Sequence, residues 1–272
     1  MTTVLEVSSD WLRLREAEDA HARSARLAAA VPALLPEGPV TVHDLGSGTG
    51  SMMRWLAPAL PGPQTWVLHD WNAQLTALAS RAEPPLDRAG RPVAVRSVVG
   101  ELETLTTADL SGASLVTASA LLDVLTAREA HAIVDACVAA GAPALLSLSV
   151  TGDVEVRPWN AADIRVARAF NAHQRREVGG RRLLGPYGGR IVRGLFELAG
   201  YRVRTALTTW RLDAGRPGLL AEWFDGWLGA AEEQVPALRG ELAGYRSLRE
   251  RQLRRGELSA VVYHLDLLAW PR

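Results

Sequence analysis

Apolar and polar residues follow one another along this chain in two alternating rhythms. Trp11, Leu12, Leu14, Ala22, Ala25, Leu27 and Val31 recur at helical spacing behind Ser8, Ser9 and Asp10, residue types that cap helix N-termini. Pro32 to Pro39 ends that helix. Val40 to Leu45 then reads as a short strand, and Met52, Met53, Trp55 and Leu56 return to helical spacing as far as Leu60. A second strand is expected at Thr65 to His69, followed by a helix with Leu75, Leu78 and Ala79 on one face, broken at Pro84-Pro85. Val93 to Val99 and Ser114 to Ser119 are the third and fourth strands, Ala127 to Ala140 is a helix, and Ala142 to Val150 is the fifth strand. Strands and helices alternating at such short intervals predict a parallel sheet built from βα units.

After Val150 the rhythm changes. Asp153 to Pro186 holds one expected helix, Ala161 to Arg175, among glycine-rich turns. A helix over Gly188 to Ala199, a strand over Tyr201 to Leu207, a helical pair (Pro217 to Gln234, Pro236 to Arg254) and a last strand over Leu258 to Leu268 complete the pattern. The expected fold class is α/β: a doubly wound, mostly parallel seven-stranded sheet with an N-terminal helix and a helical insertion before the last strand. Residues 1–272 are expected to form one domain, with an N-terminal helical cap (1–39), a core (40–150), a lid segment (151–186) and a C-terminal half (187–272) carrying the insertion at 217–254.

Composition narrows the setting. Net charge is zero, so bulk electrostatics points to no DNA or membrane partner. All thirty basic residues are arginine, which codon usage explains without function. Cys137 is the only cysteine, so no intrachain disulfide forms, as suits a reducing cytoplasm. Glu6, Asp10 and Glu16 break up the N-terminus, which lacks the apolar core of a secretory leader. No apolar run approaches the roughly 20 residues of a membrane span. A cytoplasmic protein is expected. No spacing of histidine, cysteine and carboxylate matches a metal site, and no nucleophile elbow or phosphate-binding P-loop is present.

The chemistry concentrates at Thr41 to Ser51, a strand, a glycine turn and a helix start. Glycine lets a ligand approach the backbone, and the helix N-terminus offers unpaired N–H groups. Asp44-Leu45-Gly46-Ser47-Gly48-Thr49-Gly50 resembles motif I of the class I S-adenosylmethionine-dependent methyltransferases, in their small-molecule branch. The resemblance covers about residues 40 to 150 at the level of motifs, and 187 to 207 plus 258 to 268 by element order; 151–186 and 217–254 lie outside it. It implies a Rossmann-like sheet of seven strands whose last strand is antiparallel, and S-adenosylmethionine as cofactor. Gly46, Ser47, Gly48 and Gly50 then pass under the cofactor's methionine part, and Asp44 is the acid beside its amino end. Asp70, followed by Trp71, is the acid that takes both ribose hydroxyls. Gly100-Glu101-Leu102 places an acid near the adenine amino group and a side chain on the ring, although aspartate is commoner than Glu101 there. Ser119, at the end of the fourth strand, and Arg15, in the N-terminal helix, complete the expected cofactor contacts. Arg15 or Arg13 would meet the cofactor carboxylate, and the sequence does not choose between them.

A single carboxylate can accept both donors of a ribose diol. An acid about 20 residues past a glycine loop also fits a dinucleotide site, so an NAD(P)-binding oxidoreductase is one rival. Against it, Ser51 stands where G-x-G-x-x-G needs its third glycine, and Asp44 precedes the first.

The fourth strand delivers Thr117 to Asp123 to the carboxyl edge of the sheet, where ligands bind. Asp123 either touches substrate or caps the helix beginning near Thr126. The text lacks the Asn-Pro-Pro-Tyr run of nucleic-acid amino methyltransferases and the paired metal-binding acids of catechol-type enzymes. Arg157 to Arg204 holds eleven arginines against Asp163, Glu177 and Glu197. That cluster is either a lid for an anionic small molecule or a solvated arginine-rich surface. Trp159, Asn171, His173 and Arg175 are the candidate substrate contacts, and His173 is the candidate general base, its other reading being a lid histidine bound to backbone. RNA is a second anion, but only Trp159, Phe170 and Tyr187 accompany the arginines. His43 and His69 fall in strands and read as structural. The apolar faces of the late helical pair pack on each other, roof the substrate or form a dimer contact, so the chain is expected to be a monomer or homodimer. The reading is a methyltransferase acting by in-line transfer on a small metabolite, with the arginine cluster favouring an anionic one. The rivals are a non-catalytic S-adenosylmethionine-binding protein, an RNA methyltransferase and the oxidoreductase.

Overall fold

Residues 7–272 are described by a computed structural model. The strands form where the apolar runs predict: β1 (Val40–Leu45), β2 (Gln64–Asp70), β3 (Ala94–Val99), β4 (Leu115–Ser119) and β5 (Ala144–Arg157). A small hairpin follows, β6 (Glu177–Val178) with β7 (Arg181–Arg182), then β8 (Arg202–Leu212) and β9 (Ser259–Trp270). The main sheet has seven strands in the order β3-β2-β1-β4-β5-β9-β8. Its first five strands are parallel, and β9 runs antiparallel to both β5 and β8.

Ten helices flank it among the described residues: α1 (Ser9–Ala22), α2 (Ala25–Ala28), α3 (Ser51–Leu56), α4 (Ala73–Arg81), α5 (Ala127–Ala140), α6 (Ala162–His173), α7 (Gly188–Leu198), α8 (Pro217–Gln234), α9 (Leu238–Glu241) and α10 (Ala243–Arg254). Successive residues of one strand enter different cores, as the two-residue period of a strand requires. Val116, Leu146 and Leu267 pack with α5 and α7, whereas Leu115, Leu145 and Leu268 pack with α2 and α3. Both faces are therefore covered, which explains why the central strands read as nearly unbroken apolar runs. A third core forms where β5, β8 and β9 run beyond the others and meet α6 and the α8–α10 insertion. There Arg249, fully buried, donates through Nη2 to both oxygens of Asp163 at 2.6 and 2.8 Å, and Tyr245 Oη donates to the same carboxylate at 2.6 Å.

The expected helix Pro236 to Arg254 divides into α9 and α10, the hairpin stands where only turns were expected, and two further elements depart from the sequence pattern. The N-terminal helix, expected to reach Val31, breaks at Arg23, whose ψ of 139° is extended. Ser24 caps α2 through its side chain and donates its own N–H to Asp266 Oδ2 at 2.8 Å. Strand β5 does not stop at Val150. Two irregularities in its pairing with β9 carry the strand through Gly152, and β8 and β9 lengthen with it. At the first irregularity Leu148 takes a φ of +58°, and its N–H donates to Asp266 Oδ1 at 2.7 Å. Thr208 Oγ1 adds a third bond to that carboxylate at 3.1 Å.

Asp266→Ala leaves two backbone N–H groups and a hydroxyl without their acceptor, and should cost roughly 2–5 kcal/mol. Urea unfolding checks this; a midpoint equal to that of the unaltered protein would contradict it.

Candidate functional site

The parallel pairing of β1 with β2 and β4 brings their carboxyl ends to one edge of the sheet. Asp44 is delivered there almost fully buried. Its Oδ1 accepts from Thr117 Oγ1 at 2.7 Å, while Oδ2 is buried with no partner. Burial, opposed by the Thr117 bond and the Arg23 charge, pushes its carboxyl up to about 7. The chain then turns through Gly46 at φ +62°, where an added Cβ would lie 2.7 Å from Leu121 Cδ1. Ser47 Oγ is buried and also lacks a partner. Gly50, at φ +83°, is the N-cap of α3.

Asp70 ties this loop to the end of β2. Its Oδ2 accepts from Gly48 N and its Oδ1 from Asn72 N, both at 2.8 Å, and burial raises its pKa. Each oxygen still has a lone pair for a second donor. After β4, Ala120 adopts φ +53°, a left-handed conformation rare for a residue with a Cβ. Such strain gathers at ligand sites.

A cleft opens above these residues, and most of the expected cofactor positions line it: Asp44, Gly46, Ser47, Gly48, Asp70, Trp71, Gly100, Glu101, Leu102, Ser119 and Arg15. Gly50 stands behind the wall. The helix α1 closes one side with Trp11, Leu12, Arg15 and Asp19. Arg15 pairs with Asp19 at 2.9 and 3.1 Å and lies 4.7 Å from the Trp210 ring centroid. Arg13 is exposed and pairs with Asp10, so Arg15 is the one that faces the cleft.

The expected substrate contacts are placed elsewhere. His173 Nε2 lies 3.0 Å from Glu233 Oε2, and its Nδ1 lies 2.8 Å from Arg176 Nη1, so both ring nitrogens are engaged away from the cleft. Because the arginine can only donate, Nδ1 accepts and Nε2 carries the proton. Burial lowers the pKa of this ring. Asn171 donates to Gly152 O at 2.8 Å and supports the irregular part of β5. Arg175 lies 5.3 Å from the Tyr187 ring centroid, and Trp159 is 65% exposed, so neither reaches the cleft. Asp123 does not line it either, and it is not the cap of α5: Thr126 and Glu129 form that capping box. Burial raises Asp123 to about 6. His43 and His69 form a buried pair, Nδ1 to Nε2 at 2.9 Å, as structural histidines.

Several groups at the site escaped the sequence reading, among them Asp19, Leu121, Val124 and Leu125 of the cleft wall. Arg23, at the helix break, bonds Ser51 Oγ and Ser119 Oγ at 3.0 Å each through Nη2, with Nη1 buried and unpartnered. Glu129, Arg181 and Leu183 form part of the cleft wall. Arg181 Nη2 donates to Glu129 Oε1 at 2.6 Å and Oε2 at 2.8 Å. A signal for the hairpin was present, since Gly179-Gly180 is a two-residue turn with both φ positive.

No family model matches the chain, and no curated protein matches it. Several solved structures follow a similar course. An S-adenosylmethionine-dependent methyltransferase from Geobacter sulfurreducens, in complex with S-adenosyl-L-homocysteine, is 17% identical over 99% of this chain and 100% of that one, with a TM-score of 0.46. A cyclopropane synthase from Mycobacterium tuberculosis is 14% identical over 96% and 94%, at 0.49. A geranyl diphosphate methyltransferase is 16% identical over 99% and 93%, at 0.46. The sheet itself carries the comparison. It has the seven strands and the antiparallel last strand that the motif resemblance implies. Likenesses this distant say nothing of activity, which depends on the residues in the cleft.

Gly46→Ala forces a side chain into the left-handed region and should destabilise the protein by about 1–3 kcal/mol. The urea midpoint reads this, and no shift would mean that the loop can relax.

Proposed function

We propose that this chain is a methyltransferase that uses S-adenosylmethionine and acts on a small molecule. One observation carries the reading. Asp44 Oδ2 and Ser47 Oγ are buried without partners beside a loop of glycines, and two further acids, Asp70 and Glu101, line the same cleft. A ligand with an ammonium group, a ribose diol and an aminopurine supplies donors for all three acids. A dinucleotide fits poorly, because its pyrophosphate would approach the Asp44 carboxylate and Ser51 replaces the third glycine.

In this reading Asp44 holds the ammonium, Asp70 the ribose, and Glu101 with Leu102 the adenine. Arg15 meets the cofactor carboxylate, and Trp11 and Leu12 exclude water. When bound, the cofactor supplies a methyl group on a sulfonium, already a strong electrophile. The chain has to hold the acceptor in line and keep the site dry. Among the described residues, the acceptor side of the cleft offers no free general base. His173 is turned away, and Asp19 and Glu129 are held by Arg15 and Arg181. The residues thus contribute positioning more than proton transfer. Among the described residues no helix is long and apolar enough to cross a membrane. The proposed setting is the cytoplasm, with the chain acting as one domain, monomeric or dimeric, on a partner other than RNA.

Incubation with methyl-labelled S-adenosylmethionine and a panel of small acids, alcohols and amines should yield labelled product. Binding of the cofactor without label transfer to any of them would favour a binding protein. Asp70→Ala should weaken S-adenosylhomocysteine by about 1–3 kcal/mol, read by calorimetry; an unchanged affinity removes Asp70 from the site.

The pH dependence has a defined sign. In the free protein Asp44 titrates at about 7, whereas an ammonium partner requires it ionised. Below that pH binding must release a proton, so affinity rises with pH and levels off above about 7. Calorimetry near pH 6 in two buffers of different ionisation enthalpy should show that release, and Asp44→Asn should abolish it. Equal affinity on both sides of the transition would contradict the role of Asp44.

A further inference from the structure

The stretch of cleft wall made by Val124, Leu125 and the chain after the hairpin differs in chemistry from the glycine-loop wall. Val124, Leu125 and Leu183 make it apolar, and one ion pair, Arg181 with Glu129, interrupts it. Of the eleven arginines between Arg157 and Arg204, Arg181 alone lines the cleft. Others there are committed elsewhere: Arg165 to Glu241, Arg193 to Glu197, Arg176 to His173 and Arg175 over Tyr187.

The ion pair is built to present the arginine. Glu129 is buried, with a side chain 4% exposed against 18% for Arg181. Its Oε2 also accepts from Thr126 N at 2.6 Å and Thr126 Oγ1 at 2.9 Å, within the first turn of α5. Its charge is therefore met by the helix N-terminus as well as by the arginine. Arg181 spends one nitrogen, Nη2, on both oxygens, and among the described residues no protein acceptor meets its Nε or Nη1. Beyond it, Leu184 N donates to Leu125 O at 2.8 Å, and Leu183 pairs with Thr126, so the chain that follows the hairpin is fastened to the cleft wall. A guanidinium held by a buried acid, with free donors beside apolar walls, suits a carboxylate or phosphate oxygen.

We infer that the second substrate is a largely apolar molecule carrying one anionic group, and that Arg181 binds that group. This rests on the methyltransferase reading for its meaning, but not for its test. The anion is anchored and no bond to it is made or broken by the arginine. The arginine-rich segment thereby contributes one specificity residue to the cleft.

The test compares 4-phenylbutyrate with 4-phenylbutanol, a matched acid and alcohol, by calorimetry with and without saturating S-adenosylhomocysteine. The acid should bind roughly tenfold or more tightly than the alcohol. Arg181→Met should remove that preference, whereas Arg182→Met, one residue along and outside the cleft, should keep it. Arg181→Lys, which retains the charge but not the fork, should keep part of it. Equal binding of acid and alcohol, or a preference that survives Arg181→Met, overturns the proposal. If S-adenosylhomocysteine does not bind while the acid preference is present, the methyltransferase reading falls and the anion site stands. If it binds and no preference appears, only the anion site falls.

Discussion

One buried carboxylate holds together the parts of this molecule that have no reason to meet. Asp266, in the middle of β9 and fully buried, accepts from Ser24 at the helix break, from Leu148 at the irregular point of β5, and from Thr208 on β8. Burial raises its pKa, and the bonds from Leu148, Ser24 and Thr208 work in the opposite direction. The consequence reaches the cleft. With the chain broken at Arg23, α1 turns over the carboxyl ends of the strands, and Arg23 drops between Ser51 and Ser119. A continuous helix through Val31 would carry neither α1 nor Arg23 to those positions.

The cleft that results mixes two kinds of wall. Three acids line it without an arginine partner: Asp44 below the glycine loop, Asp70 at the end of β2 and Glu101 after β3. Two more, Asp19 and Glu129, are each paired with an arginine, and leucine and valine side chains fill the wall around Glu129. Asp44 shows the electrostatic design most plainly. Desolvation raises its pKa more than Thr117 and Arg23 lower it, so the protein itself leaves this carboxyl short of a positive partner.

Much of this was legible in the sequence, for reasons that vary with the residue. The parallel core was readable because β1, β2 and β4 are covered on both faces and must be apolar throughout. The glycine-loop wall of the cleft was readable because a tight glycine turn and acids at strand ends are local features. Asp44, Asp70 and Glu101 needed only the knowledge that each strand ends where it does. The acceptor side was not local. His173 looked available because histidine titrates near neutrality, but α8 brings Glu233 against it and the turn after α6 brings Arg176 round to its other nitrogen. Arg181 looked like one arginine among many until the hairpin and the Glu129 cap placed it in the wall. The fifth strand looked finished at Val150 because nothing in its text shows that the pairing with β9 tolerates an irregularity there. Ser24 was equally hidden, since its partner lies more than two hundred residues away.

The most direct measurement is a parallel titration of the unaltered protein with S-adenosylhomocysteine and with NADH at neutral pH. The arrangement of Asp44, Asp70 and Glu101 around the glycine loop predicts saturable, one-to-one binding of S-adenosylhomocysteine and none of NADH. Binding of NADH with no response to S-adenosylhomocysteine would contradict the account at its centre.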